Sequence, residues 1–242
     1  MKKIAVLSGA GISAESGIST FRDSGGLWEQ YRVEDVATYD GWVRNRALVQ
    51  EFYNQRRKQL ANVKPNAGHY ELVRLEQAYE VQIITQNVDD LHERAGSKNV
   101  LHLHGELKKA RSTVNPEYIV TIDGWELNEQ MTDPQGAPLR PHIVWFGEAV
   151  PLIETAAQIS AAADFYIVVG TSLVVYPAAG LLHYVPPYVP KYVVDPQEVH
   201  APVSNVKYIK EPASTGLKKV VDELLVLGRK SADAGALPRL NH

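Results

Sequence analysis

The stretch KIAVLSGAGISAESG, residues 3–17, decides the fold class of this chain. An apolar run begins after Lys3 and stops at Ser8 in a glycine-rich turn, which is typical of a short buried strand. Strands that alternate with helices predict an α/β fold, in which a parallel sheet is covered by helices on both faces. Similar apolar runs predict strands at 81–85, 99–105, 142–146, 164–170, 191–195 and 206–209, and helical spacing predicts helices at 42–63, 66–79, 88–96, 152–163 and 215–228.

The composition is that of an ordinary folded protein. The chain has 242 residues, of which 45% are hydrophobic and 22% charged, and its formal net charge is -3. A net negative charge does not favour binding to nucleic acid. The absence of cysteine excludes disulfides, thiolate nucleophiles and zinc sites that need sulfur. The apolar run near the start is too short for a secretory signal, and no run approaches the ~20 residues of a membrane span. We therefore expect a cytoplasmic protein with no membrane partner.

A glycine motif follows the first strand directly. Gly9, Gly11 and Ala14 satisfy the pattern G-x-G-x-x-A, in which glycines let backbone N–H groups approach a pyrophosphate. The plain alternative is a tight turn. A dinucleotide site of the usual kind also has an acidic residue ~20 positions further on, at the end of a second strand, but residues 17–31 are not strand-like. A dinucleotide would therefore be held differently, beneath a loop.

Polar side chains follow two further strands. Gln86, Asn87 and Asp89 come after one of them, where amides and a carboxylate suit ribose hydroxyls and a carboxamide. Thr171 and Ser172 come after another, where hydroxyls and backbone amides suit phosphate or ribose. Helix capping and an ordinary turn are the alternatives. Because the carboxyl ends of parallel strands share one edge of the sheet, the two groups predict a ligand site there.

The segment LHLHGEL, residues 101–107, alternates leucine with histidine. In a strand this alternation places the imidazoles of His102 and His104 on one face. Gly105 then predicts a sharp turn.

Five segments identify a family by their order: GAGISAESGISTFR, TQNVDDLHERAG, LHLHGE, RPHIVWFGEAVP and GTSLVVYPAA. Together they resemble the sirtuins, NAD-dependent protein-lysine deacylases, over residues 3–228. The resemblance implies a Rossmann-like domain and a smaller domain, with NAD and an acylated lysine meeting in the cleft between them. With the sequence pattern it predicts a Rossmann-like domain of residues 1–40, 64–106 and 141–230, a helical part of the small domain at 41–63, a small insert at 107–140 and a flexible tail at 231–242.

The resemblance also implies the site residues. His104 falls on the family's catalytic histidine, a base for a ribose hydroxyl, and Asn87 is the second catalytic residue. His102 lies outside the motif and is interpreted as structural. The implied NAD site consists of Gly9, Ala10, Gly11, Glu15, Phe21, Arg22, Trp28, Gln86, Asn87, Asp89, Gly170, Thr171, Ser172, Asp195 and Ala213. The implied peptide site consists of Val144, Phe146, Gly147, Glu148 and Val175, with extended substrate backbone pairing near 146–148 and 172–175.

Tyr53 and Arg56 lie three residues apart, on one face of a predicted helix. The spacing resembles the Y-x-x-R pattern of sirtuins that remove succinyl and malonyl groups. These acyl groups end in a carboxylate, which a guanidinium fork binds in bidentate fashion. The alternative is a solvated basic face, because Arg57 and Lys58 follow.

Most sirtuins hold a structural zinc with two cysteine pairs in the small domain, and this chain has no cysteine. We therefore expect no structural metal. The insert should rely on its own packing, through Tyr118, Ile119, Val120, Ile122 and Trp125.

The leading hypothesis is NAD-dependent removal of succinyl or malonyl groups, and also acetyl groups, from protein lysines, with release of nicotinamide and O-acyl-ADP-ribose. A mono-ADP-ribosyltransferase or an NAD glycohydrolase would use the same cleft. A hydride-transfer dehydrogenase is a weaker rival, and an NAD-sensing peptide-binding module is the alternative without catalysis.

Overall fold

The computed structural model describes residues 1–18 and 30–235, the last six of them by their backbone alone. Its strands are β1 (Lys3–Ser8), β2 (Glu80–Thr85), β3 (Val100–His102), β4 (Gly105–Ser112), β5 (Ile119–Thr121), β6 (Leu139–Ile143), β7 (Phe165–Val169), β8 (Lys191–Val194) and β9 (Val206–Ile209). Its helices are α1 (Gly11–Ala14), α2 (Val33–Val36), α3 (Tyr39–Arg44), α4 (Arg46–Ala61), α5 (Ala67–Leu75), α6 (Leu91–Ala95), α7 (Ile153–Ala161) and α8 (Ala213–Gly235), with a 3₁₀ helix at Ala178–Tyr184.

The large sheet is parallel throughout, in the order β3–β2–β1–β7–β8–β9. Alternate residues of β1 point to opposite faces of the sheet. Ile4 and Val6 belong to a buried cluster with residues of α5 and α8, whereas Ala5 and Leu7 belong to a second cluster with α7 and the 3₁₀ helix. The predicted α/β fold with both faces covered is confirmed.

The strand register brings the loops of the site together. Ser8, the last residue of β1, pairs with Thr85 of β2 and with Val169 of β7. All three strands therefore end at the same level, and the polar residues that follow them share one edge of the sheet.

A smaller antiparallel sheet, in the order β5–β4–β6, packs against α4. It extends beyond the predicted insert at both ends, because it begins at Gly105 and ends at Ile143. The prediction of a strand of the main sheet at 142–146 is wrong. The observed strand β6 ends at Ile143, and Phe146 forms an isolated bridge with Thr38 and donates its backbone N–H to Ala37.

The predicted single strand at 99–105 is two strands in different sheets. β3 ends at His102, and β4 begins at Gly105 with a φ of 82°. A Cβ on Gly105 would lie 2.0 Å from the carbonyl oxygen of His142, so only glycine fits where the chain changes sheets. Leu103 and His104 form the link between the sheets.

Polar side chains of α4 anchor the small sheet. Asn54 donates to the carbonyl of Leu127 over 3.3 Å and accepts from its N–H over 2.9 Å. Arg57 is buried and donates to the carbonyl of Trp125 over 2.8 Å. This part of α4 is therefore an interface rather than the solvated basic face that the sequence left open.

The insert has a small core of its own, made of Ala110, Ile122, Leu127 and Leu139, with Tyr118 and Val120 packed against it. The predicted contribution of Ile119 and Trp125 is wrong, since these side chains are 43% and 41% exposed. Ile119 lies on edge strand β5, where alternate residues face solvent.

The residues of the insert do not fit a zinc ion. Ser112 donates to Asp133 over 2.6 Å, and the other carboxylate oxygen of Asp133 accepts from Gln135 and Ala137, each over 2.9 Å. These bonds join the turn after β4 to the turn before β6. Within residues 1–18 and 30–235, no cluster of three or more His, Cys, Asp or Glu side chains is placed to hold a metal.

Two of the predicted helices differ from the structure in their boundaries. The predicted helix at 42–63 is two helices, because Asn45 has a non-helical backbone and caps α4 by accepting from Leu48 N–H. Asn66 caps α5 as predicted, and His69 completes a capping box with it. α8 runs past Gly228 to Gly235, so the predicted flexible tail at 231–242 is wrong for its first five residues. No helix in the described part of the chain is long and apolar enough to cross a membrane.

Candidate active site

The glycines after β1 let two loops approach closely. Gly9 donates to the carbonyl of Val169 over 3.0 Å, and Gly11 donates to that of Gly170 over 2.8 Å. A Cβ on Gly9 would lie 2.7 Å from the carbonyl oxygen of Gly170. The glycine motif predicted that these N–H groups point at a pyrophosphate. In the structure they donate to the last residue of β7 and to the residue that follows it, so the glycines let the two chain segments pack closely.

Ser13 joins the two elements that flank this edge. Its hydroxyl accepts from Asn87 Nδ2 over 3.1 Å and donates to Asp89 Oδ2 over 3.0 Å. The other oxygen of Asp89 accepts from the N–H of Leu91. Burial raises the pKa of Asp89, and the hydrogen bonds from Leu91 and Ser13 partly offset that rise. Sequence reasoning missed Ser13, although a polar residue on the first turn after the glycine motif was a usable signal.

Gln86 connects the ends of β2 and β7. Its Nε2 donates to Thr171 Oγ1 over 3.1 Å, and the same oxygen accepts from the N–H of Leu173 over 3.3 Å. The structure therefore brings the polar residues after β2 together with those after β7, as the sequence predicted.

His104 lies beside the same loop. Its Nδ1 is 3.1 Å from the carbonyl oxygen of Gln86. A carbonyl only accepts, so Nδ1 carries the proton and Nε2 of the neutral ring holds the lone pair. Burial lowers the pKa of His104, and the bond to Gln86 offsets this only in part. The ring is therefore a neutral base at pH 7.

His102 holds the neighbouring carbonyl. Its Nδ1 donates to the carbonyl of Asn87 over 3.0 Å, and its Nε2 lies 2.7 Å from Glu93 Oε1. Burial lowers the pKa of His102, but the hydrogen bond and the charge of Glu93 outweigh this and raise it overall. The two imidazoles thus bind consecutive carbonyls of one loop. Both ring nitrogens of His102 have protein partners, which fits the structural role expected for it.

Several predicted NAD-site residues lie at the adjoining end of α8 and β8. Glu15 accepts from the N–H of Ser214 over 3.0 Å and from its hydroxyl over 2.6 Å, next to the buried Ala213. Asp195 accepts from the N–H of Gln197 over 2.8 Å. Phe21, Arg22 and Trp28 lie outside the described residues.

Tyr53 and Arg56 lie together on α4, as their spacing predicted. The guanidinium carbon of Arg56 is 5.9 Å from the centre of the Tyr53 ring. Burial lowers the pKa of Arg56, whereas Tyr53 and the charge of Asp89 act to raise it. Arg56 is half-buried, and its charge interacts with the carboxylate of Asp89 in the loop after β2.

Each of the two predicted peptide segments contains one residue with a positive φ. Gly147 has a φ of 86° and Leu173 a φ of 56°, and neither value occurs in a strand. Phe146 is 48% exposed, and Val175 is also exposed. The carboxylate of Glu148 binds Arg140 over 2.7 and 3.0 Å.

Comparison with known proteins identifies the family. The model of the Sir2 family matches residues 9–177. The NAD-dependent protein deacylase of Bacteroides thetaiotaomicron is 53% identical over 93% of this chain and 99% of its own. The protein of the same name from Aggregatibacter actinomycetemcomitans is 57% identical over 81% of this chain and 94% of its own. The crystal structure of a Sir2 homologue in complex with NAD is 38% identical and superposes with a TM-score of 0.83, over 95% of this chain and 90% of that one. The chain belongs to the Sir2 family.

Proposed function

We propose that this protein is an NAD-dependent protein-lysine deacylase that prefers succinyl and malonyl groups to acetyl groups. The reaction class is supported by membership of the Sir2 family and by the activity in the names of its relatives. The acyl preference is supported by one observation above all, the pairing of Tyr53 with the half-buried Arg56 close to the loop after β2.

The donor set at the sheet edge fits NAD. Two amides (Gln86 and Asn87) and a carboxylate (Asp89) follow β2, and two hydroxyls (Thr171 and Ser172) follow β7, the two strands that flank β1. Such groups bind ribose hydroxyls and a carboxamide. Bound NAD supplies an electrophilic ribose carbon and nicotinamide as a leaving group. The hydrogen bonds of Ser13 hold the Asn87 amide and the Asp89 carboxylate in one arrangement before any ligand arrives.

His104 is the base in this proposal. Its Nε2 accepts the proton of a ribose hydroxyl, because Nδ1 already donates to the carbonyl of Gln86. The lowered pKa keeps the ring neutral, and therefore ready to accept a proton, at physiological pH. Val144 donates its N–H to the carbonyl of His104 over 2.9 Å, so the segment proposed to line the lysine channel is anchored to the base.

The acyl preference follows from charge. A succinyl or malonyl group ends in a carboxylate, which a guanidinium binds through two parallel hydrogen bonds. An acetyl group offers no such partner. Arg56 is half-buried, so its guanidinium has lost part of its hydration. The carboxylate of an incoming acyl group would replace part of that lost interaction.

The test uses one peptide that carries acetyl-lysine, succinyl-lysine or malonyl-lysine in turn. Arg56→Met should lower kcat/KM for the succinyl peptide about ten- to a hundredfold more than for the acetyl peptide, since a charge-assisted hydrogen bond contributes about 1.5–3 kcal/mol. Arg46→Met removes a guanidinium from the exposed start of the same helix and should leave the ratio between the peptides unchanged.

Equal losses on both peptides in Arg56→Met would refute the acyl preference while leaving the deacylase reaction intact. Product analysis tests the reaction itself. O-acyl-ADP-ribose is expected, whereas free ADP-ribose or ADP-ribosylated protein would favour a glycohydrolase or a transferase.

A further inference from the structure

Tyr53 makes a directed hydrogen bond deep in the small domain. The Tyr53 side chain is 1% exposed, and its hydroxyl oxygen lies 2.9 Å from the indole nitrogen of Trp145. An indole N–H donates and never accepts. The hydroxyl is therefore the acceptor in this bond, which leaves its own proton to be donated in another direction.

Trp145 cannot turn away from this position. Its side chain is 2% exposed, and the guanidinium carbon of Arg140 stands 3.5 Å from its ring centre. Glu148 binds Arg140 through both carboxylate oxygens and also accepts from the backbone N–H of Trp145 over 2.8 Å. One ion pair thus fixes both the ring and the backbone of the tryptophan.

The Tyr53 side chain borders the proposed acyl pocket. Arg56 extends beside the Tyr53 ring from the next turn of α4. Trp145 directly follows Val144, which is bonded to His104. The hydroxyl therefore lies among the residues proposed to receive the acyl group.

We infer that Trp145 is a positioning residue for acyl selectivity: its indole N–H occupies a lone pair of the Tyr53 hydroxyl, so that the hydroxyl proton is presented to the carboxylate of a succinyl or malonyl group. Arg140 and Glu148 hold the tryptophan for this task. This inference rests on the proposed acyl preference. Glu148 would then influence which acyl group is accepted by holding Trp145 in place, and not by contacting the peptide. Without the indole donor the hydroxyl is free to rotate, and part of its bond to the carboxylate is lost.

The experiment compares Trp145→Phe, Tyr53→Phe and the double variant on the acetyl and succinyl peptides. Each single variant should lower the succinyl-to-acetyl ratio of kcat/KM about three- to tenfold, the range of one hydrogen bond. The double variant should lower it no further than Tyr53→Phe alone, because without the Tyr53 hydroxyl Trp145 has no group left to orient. Trp42→Phe is the matched control: Trp42 is buried in the same cluster, 5.8 Å from Trp145, and its replacement should leave the ratio unchanged.

A ratio that is unchanged in Trp145→Phe, or additive losses in the double variant, would overturn the inference. If Arg56→Met still lowers the ratio in that case, the acyl preference survives and only the role of Trp145 fails. A second measurement tests the inference even if Trp145→Phe folds poorly. The indole N–H resonance of Trp145 should move upfield in Tyr53→Phe, and an unmoved resonance would also overturn the inference.

Discussion

Ser13 donates its hydroxyl proton to Asp89 across 3.0 Å, and this bond joins the first turn after β1 to the loop after β2. The same hydroxyl accepts from the side-chain amide of Asn87. All three side chains are buried. One serine therefore sets the relative orientation of the amide and the carboxylate that we assign to NAD.

Ser13→Ala should weaken NAD turnover. Loss of the hydroxyl leaves the Asp89 carboxylate and the Asn87 amide each without one buried partner, at a cost of about 1–3 kcal/mol per group. We expect kcat/KM for NAD to fall about ten- to a hundredfold, measured in steady state at saturating peptide. Ser97→Ala is the control, since the buried Ser97 hydroxyl has no hydrogen-bond partner in the described part of the chain. Equal activity in the two variants would contradict the role of Ser13.

Acid should destabilise the fold through His69. Burial lowers the pKa of His69 to about 4, against about 6.5 in the unfolded chain. Between these values the unfolded state binds a proton that the native state does not, so the free energy of unfolding falls as the pH falls, by about 3 kcal/mol in all. The lowered pKa of His92 acts in the same direction, and the raised pKa of His102 acts against it.

His69→Gln should reduce this acid sensitivity. Glutamine is a natural partner in a capping box, so it keeps the bond to the backbone of Asn66 while removing the titration. Denaturant unfolding at pH 7 and at pH 4.5 should show a smaller loss of stability in this variant than in the parent protein. The exposed His200→Gln should behave like the parent. A loss of stability in His69→Gln as large as in the parent would refute the assignment.

Gly170 should tolerate no side chain. A Cβ there would lie 2.3 Å from the backbone nitrogen of Ile12, and the φ of 62° adds strain. Gly136 also has a positive φ, of 85°, but no described atom lies within 4 Å of its Cβ position. Gly136→Ala should therefore cost about 1 kcal/mol, whereas Gly170→Ala should abolish NAD turnover by separating the two loops. Similar thermal stability and activity in the two variants would contradict the close packing.

Asp133 should stabilise the insert without metal. Asp133→Ala removes the bonds to Ser112, Gln135 and Ala137, so we expect the melting temperature to fall by several degrees. Asp123→Ala, an exposed change in the same insert, should have little effect. A chelator should leave the melting temperature of the parent protein unchanged. Stoichiometric zinc by elemental analysis, or a chelator effect, would contradict this account.

Much of the site could be predicted because strand ends carry information in the chain itself. An apolar run followed by Gln86, Asn87 and Asp89 already places these residues at the carboxyl end of a strand, and the parallel sheet brings such ends together. The helical spacing of Tyr53 and Arg56 likewise places both on one face without any tertiary contact. The local sequence pattern is sufficient to predict the position of a side chain wherever the periodicity of the backbone alone determines that position.

Tertiary structure alone decided which partner each polar group meets. The sequence does not reveal that Ser13 reaches Asp89, or that the N–H groups of Gly9 and Gly11 donate to the end of β7, at Val169 and Gly170, because these partners are far apart along the chain. It also does not reveal the bond from Trp145 to Tyr53, 92 residues away. A hydrogen bond needs its two atoms within about 3 Å, and only the packing of one element on another brings residues so distant in sequence to that separation.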